Sequence, residues 1–304
     1  MGSISITRID DLLKEARSAK SAKVCVACAD DTNVLEALDA AKQTAGFKLS
    51  DFVLVGSKEK TLEAARSVNM DISECEIIDE PDAAQACKKA VAIVSSGEAQ
   101  ALMKGLVDTS VIMKAVLEKE AGMRTGRVLS HLAVFELPTY HKLLYVTDAA
   151  INVAPDINTK KEIIENACQT VAKLTAREPK IALLAAKEKA DPKLPLTMEA
   201  AELVTWYKEG GISGCIIDGP LALDNAVSEE SVKIKGISSP VGGDADILVC
   251  PNIESGNILY KSLAFLAGAK NGGVVLGAKR PVILTSRADS TESKLISIAL
   301  GILS

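Results

Sequence analysis

The feature that most constrains this chain is a rhythm in which short apolar runs of about four to eight residues alternate with longer segments patterned as amphipathic helices. The runs expected as strands are Lys23–Ala29, Phe52–Gly56, Cys75–Asp79, Ala101–Met103, Val128–Phe135, Leu143–Thr147, Ile181–Ala185, Cys215–Asp218, Ile247–Cys250, Val274–Leu276 and Val282–Thr285. Helical patterns lie between them at Thr32–Ala45, Lys58–Asn69, Pro81–Ser95, Asn158–Thr175, Thr197–Lys208 and Ile253–Ala267. Successive strands joined through helices lie parallel, so the order predicts an α/β fold of mainly parallel sheet with helices on both faces. Aromatic residues make up only 3% of the chain, which leaves Val, Ile, Leu and Ala to fill a core of strands covered on both sides.

The rhythm breaks once. Val128–Phe135 and Leu143–Thr147 are separated only by a short turn around Pro138, which predicts an antiparallel pair and a lobe boundary. A chain of 304 residues is long enough for two cores. The expected division is a first lobe of residues 1–125 plus 286–304 and a second of 126–285, with an active-site cleft between them.

Composition excludes several classes. The net charge is -5 and no block of Lys or Arg occurs, so the basic stripe of a nucleic-acid surface is missing. No apolar run reaches the ~18 residues of a membrane span, and the N-terminus lacks a signal-peptide core. A cytoplasmic protein is the expectation. Cys25 and Cys28 form a CxxC inside the run VCVACAD, where both read as buried strand residues, and the other five of the seven cysteines are scattered.

Five polar stretches stand at expected strand ends, where α/β proteins place ligands. Met103-Lys104-Gly105 ends a strand, and a helix then opens at Thr109 or Ser110, a pattern that suits an anion or an ordinary capped turn. Ser130-His131 lies in an apolar strand, where a histidine serves either catalysis or the core. Thr147-Asp148 ends another strand, and Asp156 caps the following helix. Next, Asp246–Cys250 empties into Asn252, Glu254, Gly256, Asn257 and Lys261, more hydrogen-bonding groups than a cap requires. Finally, Thr285-Ser286-Arg287 closes the last strand and offers an anion a two-point grip with a hydroxyl beside it. Neither GxxxxGK[ST], a GxGxxG after a strand, nor HExxH is present. The residues alone point to a small anionic ligand in a cleft, with no metal site.

In order, these stretches resemble the phosphotransacylase family, the phosphate acetyl- and butyryltransferases. The resemblance spans nearly the whole chain and is densest over DADILVCPNIESGNILYKSLAFLAGAKNGGVVLGAKRPVILTSRADS, while MKGLVDTS, RVLSH and TDAAINVAPD favour the butyryl branch. It implies an isocitrate/isopropylmalate dehydrogenase-like fold and reversible acyl transfer between CoA and inorganic phosphate. CoA or acyl-CoA is then a substrate, no cofactor is permanently bound, a homo-oligomer is expected, and the acyl phosphate passes to an acyl kinase. The family's catalytic Ser-Arg pair falls on Ser286 and Arg287, and its CoA- or phosphate-contacting lysine on Lys261.

The chain departs from the acetyl enzymes at two places. A helix arginine appears as Lys114, and the aspartate proposed there as a base falls at Ser293 by counting from Ser286. Asp289 and Glu292 are the nearby acids. Phosphate is already ionised and a thiolate is a tolerable leaving group, so positioning and charge neutralisation are expected to dominate. Ser286, Arg287 and Lys104 form the expected catalytic set. Thr109, Lys114, Ser130, His131, Thr147, Asp148, Asn252, Glu254, Asn257 and Lys261 are expected around phosphate, acyl group or CoA. Two rival readings are a decarboxylating dehydrogenase, which would need a metal-binding acid cluster and a place for NAD where Asp148, Asp218 and Asp246 at or near strand edges form no matched trio, and a non-catalytic CoA or acyl-phosphate binder.

Overall fold

The computed structural model describes residues 5–19, 22–119, 123–285 and 289–304. In chain order, α1 (Ile9–Ser18), β1 (Val24–Ala27), α2 (Thr32–Ala45), β2 (Phe52–Gly56) and α3 (Lys58–Ser67) come first. They are followed by β3 (Glu76–Asp79), α4 (Ala83–Ser96), β4 (Ala101–Lys104), α5 (Thr109–Leu117), β5 (Ser130–Glu136) and β6 (Leu144–Thr147). Next come α6 (Ile157–Thr175), β7 (Lys180–Leu184), α7 (Pro195–Lys208), β8 (Ile216–Leu221), α8 (Leu223–Val227) and α9 (Glu229–Lys235). β9 (Ile247–Val249), α10 (Ile253–Lys261), β10 (Lys270–Leu276), β11 (Val282–Ile283) and α11 (Thr291–Leu303) complete the chain. Every strand expected from the apolar runs is present. The last stops at Ile283 rather than Thr285, and the helix expected over Ile253–Ala267 ends as α10 and continues as one π-helical turn, Ser262–Leu266.

The chain divides into two compact units. The flanking unit comprises Asp10–Arg127 and Asn271–Ser304, and the inserted unit Val128–Lys270 with Met1–Ile9. The return therefore comes earlier than the expected residue 286. Its cause is β11, which pairs antiparallel with β10 and parallel with β4, so the hairpin belongs with the flanking strands. The N-terminal residues join the inserted unit instead of the first lobe, because Ile6 N donates to Leu174 O (3.0 Å) and Ile9 N to Glu136 Oε2 (2.6 Å).

The strand order of the flanking unit is β3-β2-β1-β4-β11-β10. β1, β2, β3 and β4 run parallel, and each residue of β1 is buried. Local chemistry sets the helix ends. Asp31 caps α2 through Asn33 N (3.0 Å), and Gly46, with φ of 69°, ends that helix in the left-handed conformation. The face of α2 that buries Val34, Leu35, Leu38 and Ala41 follows helical spacing.

The inserted unit is ordered β5-β6-β9-β7-β8. β5 and β6 are the expected antiparallel pair, whereas β6, β9, β7 and β8 run parallel. Phe135, Leu144, Val146, Leu221 and Leu248 contribute to its apolar core. Among the described residues no helix is long and apolar enough to cross a membrane.

Candidate functional site

In the inserted unit the polar stretches converge at the C-terminal edge of β6 and β9. The antiparallel register of β5 brings its start to that edge. Thr147 Oγ1 donates to His131 O (2.8 Å), and Cys250 N donates to Thr147 O (2.7 Å). Asp148 is buried and its carboxylate is filled by its own loop. Oδ1 accepts from Ala150 N (2.8 Å) and Ile151 N (3.0 Å), and Oδ2 from Asn152 N (3.3 Å) and Asn152 Nδ2 (2.7 Å). Asn152 Nδ2 also donates to Leu129 O (2.8 Å), which fastens the loop to the entry of β5.

The start of α10 is pressed against this loop. A Cβ at Gly256 would lie 2.3 Å from Asp148 O, so only glycine permits the approach. Asn257 Nδ2 donates to Ala149 O (3.3 Å), and Asn252 caps the helix by accepting from Ser255 N (3.0 Å). Asn252 is thus the cap of α10 and Asn257 a fastener. Glu254 and Lys261 are exposed on the same helix. The Lys261 ammonium lies 6.0 Å from the Tyr260 ring centroid and 5.5 Å from that of Phe265, and Tyr260 in turn meets His131 edge-on at 5.9 Å.

Ser130 departs from the expectation of substrate contact. It is buried, and its hydroxyl accepts from Asn166 Nδ2 (3.0 Å) of α6, which also donates to Val128 O (2.9 Å). Asp156 is the cap expected, accepting from Thr159 N (2.8 Å).

In the flanking unit the strand order changes direction at β1 and β4, a position where α/β sheets commonly receive ligands. The loop after β4 is laid on the end of β1. Gly105 N donates to Ala27 O and Leu106 N to Cys28 O, both at 2.8 Å. A side chain at Gly105 would fall 2.1 Å from Cys28 O. Lys104 is buried, and its ammonium donates to Val107 O (3.1 Å) and Gly105 O (3.3 Å), bracing the loop. The helix that follows is unusual. Asp108 makes no side-chain cap for α5, whereas α2, α3 and α4 are each capped by an Asp or Ser oxygen. Thr109 and Lys114 are exposed on α5, so its N-terminal turn can take an anion as its acceptor.

Ser286 and Arg287 lie outside the described residues. Beyond them, Ser290 caps α11 through Ser293 N (3.1 Å), and its hydroxyl donates to Ser293 Oγ (3.0 Å). Ser293, where the acetyl enzymes would carry an acid, is therefore part of the cap. Glu292 is exposed in the first turn of α11, and Asp289 is half-buried just ahead of the cap.

All seven cysteines are buried. Burial pushes the Cys25 thiol up to about 12 and Cys75 up to about 11. Cys250, at the edge beside Asp148, is pushed up to about 12 by burial and then by that carboxylate. These thiols stay protonated near neutrality and make poor acyl acceptors. The three acids of the dehydrogenase reading do not converge, since Asp148 follows β6 at its C-terminal end whereas Asp246 precedes β9 at its N-terminal end. Among the described residues no three His, Cys, Asp or Glu side chains are grouped to hold a metal. The sequence reading missed Asn152, Asn166 and the close approach at Gly256. Only the glycine in Ser255-Gly256-Asn257 offered a signal.

Comparison with known proteins places these features in a group. Residues 83–302 match the family described as phosphate acetyl/butaryl transferase. The chain is 43% identical to the phosphate butyryltransferase of Clostridium acetobutylicum over 298 residues, 98% of each chain. Among solved structures, a branched-chain phosphotransacylase from Enterococcus faecalis V583 superposes with a TM-score of 0.83 at 37% identity, over 92% of this chain and 98% of that one. A 4-hydroxythreonine-4-phosphate dehydrogenase from Klebsiella pneumoniae shares the fold, with a TM-score of 0.61 at 14% identity, over 93% of this chain and 100% of that one.

Proposed function

This chain belongs to the phosphate acetyl/butaryl transferase family, and we propose that it prefers a short aliphatic acyl group, butyryl or branched, over acetyl. It is an acyltransferase that moves the acyl group reversibly between CoA and inorganic phosphate. The observation that carries the acyl preference is the 43% identity to a phosphate butyryltransferase along 98% of both chains. The likeness to the branched-chain enzyme supports it.

In the proposed mechanism a phosphate oxygen adds to the thioester carbonyl. The tetrahedral intermediate then collapses, the C–S bond breaks, and CoA leaves as its thiolate while the C–O bond of the acyl phosphate remains. Arg287 grips the phosphate at two points. Ser286 hydrogen-bonds the intermediate or the departing sulfur. Lys104 holds the loop that aims the uncapped start of α5, with Thr109, at the same anion. Lys261 and Lys114 offset the remaining charge on phosphate and CoA. His131 and Thr147 frame the edge on which the acyl group rests, while Asp148, Asn252 and Asn257 set the geometry of that edge. Glu254 meets the polar part of CoA. In the reverse direction the CoA thiol, with a pKa of ~8.5, gives its proton to Asp289 or Glu292. No acyl-enzyme forms, which agrees with burial of the thiols and with Cys250, at the edge beside Asp148, being held in its protonated form. Replacing Arg287 by Ala should lower kcat/KM on the order of 10²-fold or more.

The finer architecture we propose is that of the isocitrate and isopropylmalate dehydrogenases, supported by the shared fold with a 4-hydroxythreonine-4-phosphate dehydrogenase. We also propose a cytoplasmic homo-oligomer without a permanently bound cofactor, its acyl phosphate passing to an acyl kinase. The test is phosphate-dependent CoA release, followed with a thiol reagent, across acetyl-, propionyl-, butyryl- and branched acyl-CoA. Fastest release with butyryl- or branched acyl-CoA is the expected result. Fastest release with acetyl-CoA would overturn the acyl preference, and none without phosphate confirms that phosphate is the acceptor.

A further inference from the structure

The flanking unit holds a cavity of about 420 Å³ that no step above uses, within the ~300–1,000 Å³ range of small-molecule sites. It lies under α3, beside β3 at the end of that unit's strand order. Leu62, Met70, Ile72 and Ile77 supply its apolar lining, and Lys58 and Arg66 line it as well. The sequence explains the mixture. Lys58, Leu62, Ala65 and Arg66 fall at i, i+4, i+7 and i+8, the spacing with which a helix presents one face to a core. Here that face begins and ends with a cation. Only Thr61 and Ala65 of α3 are buried, so the helix leaves a hollow beside β3 that opens to solvent.

The charges around the cavity are unequal. Lys58 and Arg66 are exposed and make no ion pair among the described residues. One carboxylate, Asp71, also lines the space, but it accepts from Ser73 N (2.9 Å). The backbone N–H and hydroxyl of Ser73 hold that carboxyl below its ordinary range, and Lys42 faces it with a further positive charge. Cys75, pushed up to about 11 mainly by burial, adds a neutral surface to the wall.

We propose that this cavity is a second, non-catalytic site that binds a carboxylate bearing a short aliphatic tail. The guanidinium of Arg66 matches a carboxylate in two-point fashion, with Lys58 as a second charge. The tail displaces water from Leu62, Met70 and Ile72, and each added methylene should tighten binding about fourfold until the space is full.

The test is calorimetric titration of the full chain with butyrate, hexanoate, hexan-1-ol and hexylammonium. Saturating CoA and phosphate are kept present so that the transferase site is occupied. Hexanoate should bind at one site, more tightly than butyrate and at least about tenfold more tightly than the alcohol or the amine. Lys58→Gln/Arg66→Gln changes two exposed side chains. It should weaken hexanoate about tenfold or more while phosphate-dependent CoA release without hexanoate is unchanged. Leu62→Trp should fill the cavity and abolish binding. The proposal fails if CoA and phosphate eliminate hexanoate binding, if hexan-1-ol binds as tightly, or if either variant binds hexanoate like the parent chain. None of those outcomes bears on acyl transfer, which the CoA-release assay reads separately.

Discussion

The two ends of the parallel strands in the inserted unit differ in how much charge they leave available. At the N-terminal end, Asp246 accepts from Arg177 Nη1 (2.8 Å) and Nη2 (2.5 Å), from Lys180 N (2.8 Å), and pairs with Lys142 (2.8 Å). Asp244 beside it meets Lys142 (2.7 Å), Lys180 (2.8 Å) and His141 (2.8 Å). At the C-terminal end Asp148 is satisfied by its own loop and the buried Lys160 pairs with Glu199, while the exposed Lys261 ammonium lies over the Tyr260 and Phe265 rings with no ion pair among the described residues. Buried charge persists where neighbours fill its hydrogen-bonding capacity, whereas charge meant for a ligand must be left available. The first end is therefore built for stability, whereas the second, on the function proposed above, offers the charge of Lys261 to substrate.

The largest expected effect lies at the N-terminal end. Asp246→Ala removes the acceptor shared by Arg177 and Lys142 and should cost about 3–5 kcal/mol of stability, read from urea unfolding. kcat/KM of the fraction that stays folded should not change. A large fall in kcat/KM there would break the distinction between the two ends. Gly256→Ala tests the other end by forcing α10 away from Asp148 O. Overpacking should cost about 1–3 kcal/mol, and displacement of the site should lower kcat/KM about 10²-fold. Activity lost out of proportion to stability is the signature expected.

Acid sharpens the contrast further. Burial alone would raise the Asp244 and Asp246 carboxyls, but Lys142, Lys180 and His141 around the first and Arg177 and Lys142 around the second outweigh it and hold both below the ordinary range. The unfolded chain then binds protons more readily than the folded one. The stabilisation is complete above the ordinary carboxyl pKa and is lost as pH falls from about 5 toward the lower folded values, a loss on the order of 1 kcal/mol or more. Asp246→Asn should flatten the dependence of unfolding free energy on pH over that window. An unchanged slope would mean that other carboxylates set acid stability.

Much of the scaffold was legible because burial on both faces leaves a composition signal. Runs such as VCVA and FVLVG belong in a buried strand, and the short turn at Pro138 marked the antiparallel pair β5–β6, whereas the antiparallel pairing of β10 with β11 left no such mark. β10 begins earlier than expected because Lys270-Asn271-Gly272-Gly273 contains no branched apolar residue, and α8 and α9 are too short to show a helical period. The site was legible as a set of strand ends and illegible as a set of bonds. Asp246 reads as a possible metal ligand until Arg177 and Lys142 arrive from 69 and 104 positions away, the differences 246 − 177 and 246 − 142. Ser130 reads as a site hydroxyl until Asn166 takes it. Asp148 stood out as a strand-end acid, but whether its oxygens face a ligand or its own loop depends on backbone N–H directions that residue identities do not encode.

The smallest change in stability should come from the residue on which the comparison depends most directly. Lys261 is exposed at the end of α10 and has no ion pair among the described residues, so Lys261→Met keeps the aliphatic stem against Tyr260 and Phe265 and removes only the charge. Unfolding free energy should stay within about 0.5 kcal/mol of the parent. A cation that neutralises substrate charge contributes more as that charge is desolvated, so kcat/KM should fall about tenfold, and the parent should lose activity with added salt more steeply than the variant. Equal salt dependence in the two proteins would show that Lys261 meets no substrate charge, and the distinction drawn between the two ends would fail.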